Sequence, residues 1–224
     1  MERQRYNIAI LGGTGAQGSG LALRLARAGH AVTLGSRDGE RARAAAAELS
    51  ARAEKSIAGA DNRAAAAAGE IVLLTVPYAA QRATVEHVLD RLRGKILVDA
   101  TVPLVPPRVG VVQLPDGGSA VAAIQALAGA AVRVVSAFQS VSAQHLSDLA
   151  HDIDCDVLVC GDDASACDLV IGLCADIGLR GLYAGPIRNS AAAEALTSVL
   201  ITINRRYRVA GAGIRITGVA ETKT

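Results

Sequence analysis

Aromatic side chains are nearly missing: the 224-residue chain has four tyrosines, one phenylalanine and no tryptophan. That composition disfavours a nucleic-acid reader that stacks bases on rings. An excess of one charge sign is also lacking. The formal net charge is +2, which gives a polyanion or an acidic membrane surface little to hold. No apolar run approaches the ~18 residues of a spanning helix. The first run, Ile8 to Leu11, stops at glycine and is too short for a signal-peptide core. These absences predict a soluble, cytoplasmic protein with no nucleic-acid and no membrane partner. Metal-chelate spacing is missing too. Cys155, Cys160, Cys167 and Cys174 fall within twenty residues but form no CxxC pair. They read as buried free thiols in a reducing compartment, not as zinc or iron–sulfur ligands.

What the chain does contain is alanine, valine, leucine and isoleucine; apolar residues make up 51% of it. Such a composition suits a parallel sheet buried under Ala-rich helices. Strand-like runs (Tyr6 to Leu11, "AVTLGS", Glu70 to Pro77, Lys95 to Ala100, "VRVVSAF") are separated by helix-like segments. "GAQGSGLALRLARAGH", for example, carries Leu21, Leu25 and Ala28 at helical spacing and stops at Gly29. Strands alternating with helices predict right-handed crossovers and an α/β, doubly wound parallel sheet of Rossmann type. Beyond about Val141 the pattern shifts to two short strand candidates around the helix "DASACDLVIGLCADI". A long apolar helix from Ser190 to about Arg208 follows. A boundary near residue 138 is expected, with residues 1–138 as the nucleotide-binding domain. Residues 139–224 would be a small α/β domain packed on it and on a partner subunit.

Gly13-Thr14-Gly15-Ala16-Gln17-Gly18 matches G-x-G-x-x-G directly after a strand and at the opening of a helix. In that setting the motif is a dinucleotide fingerprint. Gly13 is expected to permit the tight turn, Gly15 to admit a pyrophosphate, and Gly18 to let helix and strand approach. Unpaired amides and the helix dipole would then hold the anion.

The end of the second strand decides which dinucleotide is bound. NAD enzymes place an acid there for the ribose 2′-hydroxyl, whereas this chain has "GSRD". Gly35 is uncharged, Ser36 can donate a hydrogen bond, and Arg37 and Arg41 offer guanidinium groups to a 2′-phosphate. Asp38 admits two readings, ribose ligand or helix cap, and its place at a helix start favours the cap. NADP is therefore the expected cofactor.

No acid–base constellation assembles. Lys55 and Lys95 lie away from the strand ends that face the cofactor, and Lys223 is in the tail. His30 and His87 sit at helix ends, while His145 and His151 lie in a polar connection. Tyr78 and Asp99 are at the correct edge of the sheet, but no triad forms around them. The poverty of proton donors suggests direct hydride transfer between two cofactors, where the protein supplies position. No catalytic side chain and no metal ligand is assigned.

The segments "AILGGTGAQGSGLALRLARAGHAVTLGSRD", "LLTVPYAAQ", "VPLVPP", "VVSAFQSVSA", "DVLVCGDD" and "LYAGPIRNSAAAEALTSVLITIN" resemble the NADPH:F420 oxidoreductase family from residue 6 to residue 218. The resemblance implies hydride transfer between NADP(H) and the deazaflavin coenzyme F420, stacked face to face, in a homodimer. It implies that Thr14 to Gln17 hold the pyrophosphate and that Ser36, Arg37 and Arg41 hold the 2′-phosphate. Val76, Pro77 and Tyr78 would flank the nicotinamide, with Leu104 and Ala143 completing its pocket. Gln139 and Val141 belong to the segment near the deazaflavin. Archaeal members commonly have histidine where this chain has Gln139; glutamine keeps a hydrogen-bond donor but cannot carry the imidazole's charge. Two other functions remain open at this level: an NADPH-dependent flavin (or flavin-mediated metal) reductase, and a non-enzymatic NADP-binding sensor.

Overall fold

Asn7–Leu11 (β1) is exposed at its first residue and buried at the next four, as expected of a strand covered on both faces. In the computed structural model, which describes residues 4–219, β1 pairs in parallel with Ala31–Ser36 (β2) on one side and Ile71–Leu74 (β4) on the other. β2 pairs with Ile57–Asp61 (β3), and β4 leads through Ile96–Asp99 (β5) to Arg133–Ser136 (β6), all parallel. Asp156–Gly161 (β7) joins β6 antiparallel, and Arg180–Tyr183 (β8) pairs in parallel with β7. The order is β3-β2-β1-β4-β5-β6-β7-β8. Parallel order thus ends just past residue 136, and the strands beyond it extend the same sheet.

The period of two along each strand feeds two cores. Ile8 and Ile10 point to one face. There they meet Leu21 and Leu25 of Ala16–Arg27 (α1), Leu49 of Gly39–Ala53 (α2) and Val170 of Ala164–Asp176 (α7). Ala9 and Leu11 point to the other face. Their neighbours are Ala65 of Asn62–Ala68 (α3), Val85 and Val88 of Tyr78–Leu92 (α4) and Val121 of Ala120–Ala128 (α5). Helices on both faces make the sheet doubly wound, as the alternation predicts. Among the described residues no helix is long and apolar enough to cross a membrane.

Three elements are not legible in the sequence. β3 reads "IAGAD", with no β-branched run beyond Ile57, because α2 lies almost on its backbone. A Cβ on Gly59 would sit 2.5 Å from the Ala42 carbonyl, so only small residues fit there. α3 and α5 are Ala-rich and short, with little periodic signal to mark their limits.

The C-terminal part returns to the sheet. Ser190–Tyr207 (α8) is followed by a tail whose Ile214 carbonyl accepts from Asp156 N at 2.8 Å. The buried Asp156 carboxylate also receives both ends of the Arg180 fork, at 2.7 and 2.6 Å, and Ile216 N at 2.6 Å. Those charge-assisted bonds hold the carboxyl below its ordinary pKa. Ala143–Ser147 (α6) is clamped to α1 by Arg24, which donates to the carbonyls of His145, Leu146, Asp148 and His151.

Candidate functional site

β1 and β4 run side by side in parallel, but the chain crosses from β1 to β2 on one side and from β4 to β5 on the other, so their C-terminal loops face each other at the switch point. The left-handed turn after β1 belongs to Gly12, at φ +78°, and not to Gly13 as the motif suggests. A Cβ on Gly12 would also lie 2.8 Å from Val76 Cγ1 in the opposite loop. Gly13 is required for another reason: its Cβ would stand 2.8 Å from both the Ile10 carbonyl and Leu34 Cδ2. Gly18 fits its expected part, since a Cβ there would meet Thr75 Oγ1 at 2.6 Å and Gly12 O at 2.8 Å. Helix α1 therefore starts against the backbone of the β1 loop and the Thr75 side chain of the β4 loop.

That start is built for an anion. Gly15 is the N-cap, no side chain caps the helix, and no acidic residue lies in the first turn. Gly15 and Ala16 are exposed, so the first-turn amides and the positive end of the helix dipole are open to a ligand. Gln17 reaches away from this opening and donates through Nε2 to the Phe138 carbonyl at 2.8 Å. It anchors the β6 loop, a bond that sequence alone does not reveal.

A cavity of about 250 Å³ joins Gly12, Thr14 and Gly15 to Ser36, Arg37, Arg41, Asn62, Thr75, Val76 and Pro77. A second cavity of about 560 Å³ continues from Ser36, Arg37 and Asn62 to the Ala79, Ala80, Ala83 and Thr84 face of α4 and to His87. Arg37, just before α2, and Arg41 within it make no ion pair among the described residues, whereas Arg43 of α2 pairs with Glu40. Asp38 caps α2, accepting from Glu40 N at 2.9 Å and Arg41 N at 3.3 Å. Its carboxylate is thereby engaged by the helix. Two unpaired guanidinium groups facing a glycine cradle suit a phosphorylated ribose.

The remaining expected site residues are not lining residues of these cavities. Tyr78 is the half-buried first residue of α4, and Leu104 is half-buried in the loop after β5. Val141 is part of the core on the α1 face, and Ala143 opens α6 behind the Ser142 cap. Gln139 is buried, and Nε2 donates to Asp99 O at 2.8 Å and Ser136 Oγ at 2.9 Å. Both amide hydrogens are therefore spent inside the protein, and Oε1 has no partner. Phe138, just before it, holds φ +74°, an unusual conformation for a bulky residue. The bond from Gln17 fixes its carbonyl there.

Asp99 ends β5 fully buried. Oδ1 accepts from Thr101 N at 2.9 Å and Oδ2 from Gln81 Nε2 at 2.6 Å. Burial pushes this carboxyl up to about 6 against the pull of those bonds. It ties the β5 loop to α4 and is screened from solvent, so it acts as a structural tie beneath the site. Lys95 donates to the Ala66 and Ala67 carbonyls, and His30 bridges Tyr6 N and Asp176. The four thiols are buried and free. Burial raises Cys160 and Cys167 to about 11, which keeps them protonated and unreactive. Lys223 lies outside the described residues.

Sequence reasoning missed Thr75, Asn62 and the α4 face around Ala80 and Thr84. Thr75 follows an apolar strand and could have been found from the switch-point rule. Asn62 could not, because the strand that delivers it is not legible.

A family model described as NADP oxidoreductase, coenzyme F420-dependent, matches residues 7–103. An F420-dependent NADP reductase from Methanothermobacter marburgensis is 43% identical over 222 residues, covering 96% of this chain and 99% of its own. One of the same name from Methanocaldococcus jannaschii is 41% identical over 224 residues, covering 95% and 98%. Among solved structures, a candidate F420-dependent NADP reductase from Arthrobacter sp. FB24 superposes with a TM-score of 0.80 at 27% identity, covering 95% of this chain and 99% of its own. A reductive aminase from Aspergillus terreus, at 20% identity and a TM-score of 0.59, covering 91% and 62%, shares the fold alone. Identity of 41–43% along nearly the whole of both chains, together with this glycine cradle, assigns the chain to the F420-dependent NADP reductase family.

Proposed function

We propose that the protein is an NADP-dependent oxidoreductase that transfers a hydride between NADP(H) and the deazaflavin coenzyme F420. The observation that carries this is the near-full-length likeness to F420-dependent NADP reductases. The paired cavities support its NADP half. In this reading Gly13 to Gly18 form the pyrophosphate cradle, with the Gln17 side chain tying it to Phe138 of the β6 loop. Ser36, Arg37 and Arg41 hold the 2′-phosphate. Val76 and Pro77 wall the nicotinamide end, and Tyr78, Leu104 and Ala143 complete the space for two planar rings, with Val141 packed in the core behind them. Gln139 shapes the loop beneath them through its bonds to Asp99 and Ser136.

The reacting hydride and its acceptor atom both belong to the bound coenzymes. This chain's task is to align them and keep water out, and no side chain has to move a proton in the chemical step. Residues 139–224 serve deazaflavin binding and contacts with a second copy in a cytoplasmic homodimer. Exposed Val105, Val111 and Val112, in the loop whose Gly110 carbonyl accepts from Thr202 of α8, and exposed Val199 and Tyr207 of that helix are suited to such contacts. Neither nucleic acid nor membrane is a partner. Mixing pure protein, NADPH and oxidised F420 tests the reading. The absorbances of both coenzymes should fall together with one-to-one stoichiometry, and NADPH binding without any F420 reduction would reject it.

A further inference from the structure

Asn62 is 5% exposed, and Oδ1 has no hydrogen-bond partner. No other described residue bonds its carboxamide nitrogen. The buried Oδ1 is an acceptor packed against Gly35, which a phosphate oxygen cannot satisfy; the nitrogen is the end left to donate to a ligand. The residue lines both cavities, with Ser36 and Arg37.

Its location has a second feature. A Cβ on Gly35 would stand 2.9 Å from Asn62 Oδ1, so the carboxamide fills the space that a side chain at the end of β2 would need. That strand end is where an NAD-type site carries its ribose-binding acid. A Cβ at Gly35 would also meet Leu11 Cδ2 at 2.9 Å and Ala65 Cβ at 3.2 Å, so that space borders the core, and Asn62, the first residue of α3, brings a neutral group beside it. The adjacent carboxylate, Asp61, is engaged by Ala64 N at 2.9 Å and held below its ordinary pKa mainly by that bond.

We propose that Asn62 reads the phosphorylated adenosine ribose, its carboxamide donating to the 2′-phosphate beside Arg37 and Arg41, and that it thereby helps set the preference for NADP(H) over NAD(H). The inference rests on the NADP reading above. Unlike the two arginines, Asn62 brings no net charge. It contributes a fixed donor where a carboxylate would repel the phosphate, so residue 62 acts as a discriminator as well as a ligand.

Calorimetric titration with 2′,5′-ADP and 5′-AMP tests this without turnover. Asn62→Ala should weaken 2′,5′-ADP binding by about 10-fold, the worth of one hydrogen bond to a charged group. It should change 5′-AMP binding by less than about twofold. Asn62→Asp should weaken 2′,5′-ADP by about 100-fold or more through charge repulsion. Asn62→Ser, which keeps a small donor, should retain part of the discrimination. Thermal unfolding of each variant identifies any that fail to fold, and the others decide the matter. Equal losses for both nucleotides, or no loss for either, would overturn the inference while leaving the NADP reading intact. A wild-type protein with no preference for 2′,5′-ADP would overturn both.

Discussion

Removing the Arg37 guanidinium separates the two nucleotides most simply. Arg37 lines both cavities and carries no internal ion pair among the described residues, so Arg37→Ala deletes a ligand contact without orphaning a protein carboxylate. A hydrogen bond between charged groups contributes ~1.5–3 kcal/mol. Arg37 is exposed and Arg41 lines the same cavity, so screening and the second cation place the loss toward the lower end. NADPH affinity should therefore fall about 10- to 30-fold, the equivalent of ~1.5–2 kcal/mol. NADH, which lacks the phosphate, should change by less than about twofold. Fluorescence titration of the variant with each nucleotide measures both numbers. The NADPH loss should also shrink as salt rises, since ions screen exposed charges. Equal losses for NADPH and NADH would refute the reasoning and make Arg37 a structural residue.

Gly18→Ala should both destabilise the fold by ~1–3 kcal/mol, as overpacking does, and weaken NADPH binding. The new methyl would meet Thr75 Oγ1 at 2.6 Å and Gly12 O at 2.8 Å; a thermal melt with and without NADPH checks both effects. Asp99 gives a pH-dependent prediction. Its folded pKa, about 6, is raised above the ordinary carboxylate value, so the stability it contributes is full below about pH 4 and is lost as pH rises through 6. Asp99→Asn, with the Gln81 amide turned to offer its oxygen, should be stabilised relative to wild type at pH 7.5 and not at pH 4, in urea melts at the two values. Ala143→Phe should leave 2′,5′-ADP binding unchanged while F420 turnover falls by orders of magnitude. Tyr78→Phe should lose far less than the roughly hundredfold expected of a general acid in the same steady-state assay.

The residues that carry the nucleotide reading were legible because each obeys a local rule. A strand ending in G-x-G-x-x-G, the Arg37 and Arg41 pair one helical turn apart, and Asp38 as a cap all depend on neighbours in sequence. The structure brings Thr14, Gly15, Arg37 and Arg41 to one cavity with Val76 and Pro77, and Asp38 caps α2 beside it. What escaped depends on contacts between distant segments. β3 is hidden because α2 forces small residues onto it, and with β3 went Asn62. The assignment of the turn to Gly13 missed Gly12, which is left-handed and leaves no room for a side chain against Val76 of the loop after β4. Gln17 was expected on the phosphate; its main-chain N–H stays in the open first turn of α1, but that its side chain is spent on Phe138, 121 positions away, could not be read locally. Gln139 was noted as a donor near the deazaflavin, but long-range bonds to Asp99 and Ser136 consume its hydrogens.

Direct transfer between two bound coenzymes is the central claim, and isotope tracing reaches it most closely. NADPH carrying deuterium at the transferred position should be reacted with oxidised F420 in ordinary water, and the reduced deazaflavin analysed by mass spectrometry. A hydride passed from ring to ring, with no side chain as an intermediate carrier, should leave the deuterium in the product at nearly full occupancy. Deuterium recovered in the solvent, with protium in the reduced deazaflavin, would contradict the account.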